Sequence, residues 1–140
     1  MNQQDDGLKT ILYAEDDEDI RSIVEMTLEA MTNIEVISCK NGSEAILKSS
    51  SVSPDLVLLD VMMPDMDGLT VFEYLSRQED YCKVPVILIT ARVQAHEIDE
   101  YLAKGVVGVI QKPFDPVTLP DQLIAFWEAF QAQVSGTDLS

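Results

Sequence analysis

The chain has 140 residues, 46% of them hydrophobic, with only six glycines and six prolines; one soluble domain of this length buries a core without disulfides or a structural metal, and it is too apolar for a disordered chain. Twenty-five acidic residues against nine basic ones leave a net charge of −16, which repels phosphate backbones and anionic lipid, excludes direct nucleic-acid binding, and suits cations and basic protein partners. No apolar run approaches the roughly 18 to 20 residues that span a bilayer, and the opening MNQQDDGLK lacks the regions of a signal peptide, so a cytoplasmic location is expected.

In chain order, residues 10–14 (TILYA) read as a first strand that runs straight into the acidic stretch EDDED, residues 15–19. A helix follows, with Ile20, Ile23, Val24, Thr27, Leu28 and Met31 at helical spacing as its buried face. Residues 34–38 (IEVIS) form a second strand and SEAILKSS a short helix. Residues 55–60 (DLVLLD) form a third strand that ends on a carboxylate, Asp60. The helix LTVFEYLSRQ, a fourth strand at residues 84–90 (VPVILIT), the helix HEIDEYLAKG ending at Gly105, and a fifth strand at residues 106–111 (VVGVIQ) come next. The last helix carries Leu119, Leu123, Phe126, Trp127 and Phe130 as its stripe, with Pro120 in its first turn and Thr118 with Asp121 as its cap. Residues 1–8 and 131–140 read as flexible termini, which leaves one domain over residues 9–130.

Five strands alternating with five helices and no hairpin signal mean parallel pairing, in an open α/β sheet covered by helices on both faces. The uninterrupted apolar runs DLVLL and VILI suit central strands buried twice over. In such sheets ligands bind beyond the carboxyl ends of the strands. Four of the five runs finish there on something polar: the first on Glu15 and Asp16, the third on Asp60, the fourth on Thr90, the fifth on Lys112 after Gln111. If the strand order is 2-1-3-4-5, Glu15, Asp16 and Asp60 crowd together. Two carboxylates about 4 Å apart repel by about 4 kcal/mol at an effective dielectric near 20, so a cation is required.

Few ligands, all oxygen, suit Mg²⁺ better than zinc, which favours His or Cys. The single histidine, His96, belongs to a helix away from this edge and reads as a surface residue; Cys39 and Cys82 form no CxxC pattern and read as core or half-buried thiols. A carboxylate beside Mg²⁺, faced by the Lys112 ammonium and the Thr90 hydroxyl, is equipped to accept a phosphoryl group, with Asp60 as nucleophile. The acyl phosphate adds charge that rearranges Thr90 and the neighbouring loops, which makes a switch rather than a metabolic enzyme.

These residues resemble the receiver domain of two-component response regulators. ILYAEDDEDIR, DLVLLDVMMPDMDG, VPVILITA and QKPFDP match its four motifs in order and spacing. The resemblance implies a flavodoxin-like (βα)5 fold of order 2-1-3-4-5. It makes Asp60 the phosphoacceptor, Glu15 and Asp16 the acidic pair, Thr90 the switch hydroxyl and Lys112 the phosphate-binding lysine. Mg²⁺ would be held by Asp16, Asp60 and the backbone carbonyl of Met62, with Glu15 acting through water; a shift making Asp16 and Asp17 the pair is the lesser alternative. Pro64 and Gly68 match the loop after the acceptor, in which Asp65 and Asp67 read as capping or solvated acids, and the Lys112–Pro113 bond is expected cis.

The same resemblance implies a switch that takes part in its own phosphotransfer and dephosphorylation, and the short stretch after the last helix leads to the expectation of a stand-alone receiver. Its donor is a sensor histidine kinase or a histidine phosphotransfer protein, and its output is binding of a downstream protein. The usual docking face joins the fourth helix, fifth strand and fifth helix, where Tyr101 or Trp127 could contribute, although the place of Trp127 on an apolar stripe favours a core role. Val109 occupies the strand position at which many receivers carry an aromatic that swings inward, so a ring-rotation relay is in doubt. A phosphatase of the haloacid-dehalogenase type would need a second aspartate where Met62 stands, and an FMN binder would be repelled by the acids. The remaining alternative is a pseudo-receiver, an interaction module that keeps the fold without phosphotransfer.

Overall fold

In the computed structural model of the chain, five parallel strands form one sheet in the order β2-β1-β3-β4-β5. The structure describes residues 7–91 and 94–139. The strands are β1 (Thr10–Ala14), β2 (Glu35–Cys39), β3 (Leu56–Asp60), β4 (Val86–Thr90) and β5 (Gly108–Gln111); the helices are α1 (Glu18–Met31), α2 (Gly42–Ser49), α3 (Gly68–Ser76), α4 (Ala95–Lys104) and α5 (Leu119–Leu139). A single 3₁₀ turn, Glu79–Tyr81, joins α3 to β4.

Alternation along the strands builds two cores. Leu12, Ala14, Val57, Leu59 and Leu88 pack with Ala45 of α2 and Val71, Phe72 and Leu75 of α3. Ile11, Tyr13, Leu56, Leu58, Ile87 and Ile89 pack on the other face with Val24 and Leu28 of α1 and Leu119 and Leu123 of α5. The central strands β3 and β4 are buried at every position, as their apolar runs require.

Four strands begin later than their apolar runs because the leading residues are used elsewhere. The Ile34 amide donates to the Thr32 hydroxyl at 3.0 Å, and the Val106 amide to the Tyr101 carbonyl at 3.3 Å, where it helps close α4. Gly105 ends α4 at φ 116, a left-handed conformation that glycine adopts without steric cost. At the opposite end of the sheet Asp55 Oδ2 accepts the Lys9 and Thr10 amides, each at 3.0 Å, and so ties β1 to the start of β3.

The expected buried face of α1 is too wide. Val24 and Leu28 are buried, Ile20 and Thr27 are half-buried, and Ile23 and Met31 face solvent, because a helix lying on a sheet covers only a narrow i, i+4 stripe. The start of α5 also differs: Asp115 organises it, accepting the Val117 amide on its side chain and the Thr118 and Leu119 amides on its carbonyl, while the Thr118 hydroxyl donates back to Asp115. Cys39 is buried and Cys82 exposed. The backbone of α5 stays helical to Leu139, past Phe130; residues 1–6 and Ser140, within the expected flexible termini, lie outside the described residues.

Gly68 opens α3 directly against the end of β3. A Cβ there would collide with the carbonyl oxygen of Asp60 and approach the Val61 Cα to 3.1 Å, and the Gly68 amide donates to the Val61 carbonyl at 2.9 Å. Backbone rather than a flexible side chain blocks the space. Gly68→Ala is therefore expected to lower unfolding stability by about 1–3 kcal/mol, read as a shift in the urea midpoint at unchanged slope.

Candidate functional site

Parallel register delivers the polar residues to one edge. Ala14 pairs with Leu59, so Glu15 and Asp60 leave neighbouring strands side by side; Asp60 pairs with Ile89 and Thr90 with Gln111, which places Thr90 and Lys112 next in line. Backbone bonds extend the ladder beyond the pairs: Glu15 to the Cys39 carbonyl at 3.1 Å, Val61 to Ile89 at 2.8 Å, and Lys112 to Thr90 at 2.8 Å. Glu15, Asp60 and Thr90 are buried, although each is polar.

The Lys112 ammonium sits between the two buried acids, 3.1 Å from Asp60 Oδ2 and 3.2 Å from Glu15 Oε1. Asp60 Oδ1 accepts the Met62 amide at 3.3 Å, and Glu15 Oε2 accepts the Asp17 amide at 3.1 Å. Glu15 Oε1 is buried and accepts no hydrogen bond. One cation for two carboxylates leaves the edge short of positive charge. Burial, with the adjoining Asp60 carboxylate, pushes Glu15 up to about 7. Burial works against the Lys112 ammonium, but Asp60 and Glu15 outweigh it and raise that pKa.

Asp16 is exposed beside this pair, and Glu15, Asp16 and Asp60 each bring a carboxylate oxygen within 4.8 Å of the others. Three hard oxygen donors with a single ammonium among them fit a divalent cation. Asp17 points elsewhere: its carboxylate accepts the Asp19 and Ile20 amides and caps α1. Asp67 caps α3 through the Thr70 amide, and Asp65 accepts the Gly42 and Ser43 amides of α2, so both loop acids are capping residues. Met62 exposes its side chain, the Lys112–Pro113 bond is cis, and His96 is exposed on α4.

Two participants carry no sequence signal. The Arg21 guanidinium donates to the Glu15 carbonyl at 2.8 Å from the first turns of α1. Tyr13, below Glu15 on β1, buries a hydroxyl with no hydrogen-bond partner; burial, Glu15 and Asp60 push its pKa upward. A lone arginine in an acidic stretch and an aromatic in a strand run both read as ordinary until the fold brings them to the site.

The response regulator receiver domain model matches residues 11–124. The chain belongs to the response regulator receiver family. It is 30% identical over 131 residues to a probable C4-dicarboxylate response regulator, DctR, of Halalkalibacterium halodurans, covering 93% of this chain and 56% of that protein. It is 38% identical over 109 residues to a probable transcriptional regulator, ycf27, of Pyropia yezoensis, covering 78% and 43% respectively. The chain thus spans about half the length of the curated relatives it matches. Among solved structures it resembles the chemotaxis response regulator CheY4 of Vibrio cholerae, at 29% identity and TM-score 0.79, covering 85% of this chain and 98% of that one.

This receiver is therefore a signalling domain of the two-component kind, a family whose general function is phosphorylation-dependent switching. Among the described residues no helix is long and apolar enough to cross a membrane.

The raised Glu15 sets a pH dependence. The folded, metal-free receiver keeps this proton up to about pH 7, whereas the unfolded chain releases it near the ordinary 4.5. Between those values the folded state binds the extra proton, so stability falls as pH rises through the window. Urea midpoints in chelator are expected to drop between about pH 5 and pH 8 in wild type. The Glu15→Gln variant is expected to show a flatter profile and to exceed wild type at the higher pH.

Proposed function

We propose that the chain is a phosphorylation-dependent switch of a two-component system or phosphorelay, with Asp60 as the phosphoacceptor. The observation that carries this reading is a buried carboxylate at the carboxyl end of a central strand, held by a lysine and bordered by two more acids. Glu15, Asp16 and Asp60, with the Met62 carbonyl, would hold Mg²⁺. When bound, the metal offsets negative charge on the transferring phosphoryl oxygens.

In the transfer an Asp60 oxygen bonds to phosphorus while the bond from phosphorus to the donor imidazole nitrogen, or to the acetate oxygen of acetyl phosphate, breaks. The electron pair leaves with the donor. Lys112 turns its ammonium from the free carboxylate to the phosphoryl oxygens. Thr90 donates its hydroxyl to the same group. Glu15 keeps negative charge on the far side of the lysine and limits its travel.

The donor is a sensor histidine kinase or histidine phosphotransfer protein in the cytoplasm, and the output is binding of a downstream protein. Thr90 and Lys112 join the site to β4 and β5, and hence to α4. No residue of α4 is fully buried, Ile98 and Tyr101 being half-buried, so this helix costs little to shift. With Val109 at the position of the swinging aromatic, a helix shift replaces ring rotation as the readout. Trp127 is half-buried against the α1/α5 core, which favours its packing role.

Intact mass after incubation with acetyl phosphate and Mg²⁺ tests the reading. Wild type is expected to gain about 80 Da, one phosphoryl group, and Asp60→Asn none; an equal gain in Asp60→Asn would place the acceptor elsewhere, and no gain from any donor would favour a pseudo-receiver. Lys112→Ala, which leaves Asp60 in place, is expected to label at least about tenfold more slowly or to label without strengthening partner binding.

A further inference from the structure

The loop that follows the acceptor, residues 61–67, is pinned at three points. At its base Gly68 donates to Val61, and in its middle Met63 is buried in the core under α2 and α3. At its tip Asp65 turns away from the acceptor toward the start of α2. Its Oδ1 accepts the Gly42 amide at 3.1 Å, and its Oδ2 accepts the Ser43 amide at 2.8 Å and the Ser43 hydroxyl at 2.6 Å. A carboxylate at a helix N-terminus is favoured by the helix dipole, and charged acceptors make the stronger hydrogen bonds. The Ser43 hydroxyl and these amides hold the Asp65 carboxyl below its ordinary range.

The helix has its own cap besides this one. Asn41 Oδ1 accepts the Glu44 amide at 2.8 Å, and Glu44 Oε1 accepts the Lys40 amide at 2.7 Å. Asp65 therefore adds something a cap alone does not: it ties two segments separated by more than twenty residues. Packing follows the same line, since a Cβ at Gly42 would come within 3.0 Å of the Met66 Cβ and carbonyl oxygen. The loop tip and the first turn of α2 are therefore joined by both hydrogen bonds and close packing. Between the Asp60 carboxylate and this tether lies Met62, three residues before Asp65, with its side chain in solvent and its amide on Asp60 Oδ1. The Met62 peptide is thus held between the end of β3, the buried Met63 and the Asp65 tether.

We propose that Asp65 is a positioning residue: by fastening the acceptor loop to α2, it holds the Met62 backbone where the divalent cation site needs it. This rests on the phosphoacceptor reading of the same site. Its consequence is that metal affinity depends on a contact to α2, a helix that contributes no ligand.

The test uses the whole chain as wild type, Asp65→Ala, Asp65→Asn and Asn41→Ala, with Mg²⁺ titrated by calorimetry and stability read by urea unfolding. Asp65→Ala is expected to bind Mg²⁺ about tenfold more weakly, as when a residue that orients a ligand is lost. Asp65→Asn, which keeps one carbonyl acceptor, is expected to fall between. Asn41→Ala removes the other cap, whose side-chain hydrogen bond goes to Glu44 and not to the loop, so it is expected to lose stability and keep wild-type affinity. Wild-type affinity in Asp65→Ala, or an equal loss in Asn41→Ala, would overturn the proposal.

Acetyl phosphate labelling of the same samples separates the two readings. A wild type that binds Mg²⁺ but is labelled neither by acetyl phosphate nor by a phosphohistidine donor overturns the phosphoacceptor role and leaves the titrations to decide the tether. A labelled wild type with unchanged affinity in Asp65→Ala overturns the tether alone. A wild type that binds no Mg²⁺ overturns both.

Discussion

Two buried carboxylates share one ammonium at the carboxyl edge of this sheet, and the functional architecture depends on that imbalance. Glu15 and Asp60 lie within 3.2 Å of Lys112 Nζ, on strands whose pairing leaves them no way to separate. Moving either acid into water would break the β1/β3 ladder, and burying both without a cation leaves repulsion of several kcal/mol even at a generous dielectric. The metal-free protein answers by raising the Glu15 pKa. A divalent cation, or a phosphoryl group drawing Lys112 toward it, rearranges the same charges.

The surroundings keep that imbalance from relaxing. Gly68 presses the start of α3 against the Asp60 carbonyl, Arg21 holds the Glu15 carbonyl, and Asp17 spends its own carboxylate on capping α1. Neighbouring acids in one short stretch thus have separate surroundings: Glu15 is buried with the lysine, Asp16 stays exposed beside Glu15 and Asp60, and Asp17 caps α1. By contrast, the far side of Thr90 leads to α4, which buries no residue fully. The chain is thus tightly packed on the side that holds the charges and lightly packed at α4, a difference in stiffness that suits the proposed switch.

Much of this was legible in the chain itself. The alternation of five apolar runs with helical patterns implied parallel pairing, the uninterrupted runs DLVLL and VILI implied doubly covered strands, and the polar ends of four of the five runs implied an edge site; the strand order and the cis proline bond came from the family resemblance and match the structure. The misreadings have physical causes. Ile23 and Met31 satisfy helical spacing as well as Val24 and Leu28 do, but spacing cannot say how wide a stripe the sheet will cover. Thr118 does stand at the cap position of α5, its carbonyl accepting the Gln122 amide, but its hydroxyl bonds back to the Asp115 carbonyl, and Asp115 forms the turn that leads in.

What the sequence alone determined was the set of elements and the chemical identity of each strand end, because hydrophobic period and residue type are local properties of the chain. Tertiary structure decided which acids meet. Register placed Glu15 beside Asp60, and helix capping removed Asp17 from the site and turned Asp65 toward α2. Those outcomes depend on contacts between segments far apart in the chain, and a carboxylate's partner across such a distance is fixed only when the backbone has closed around it.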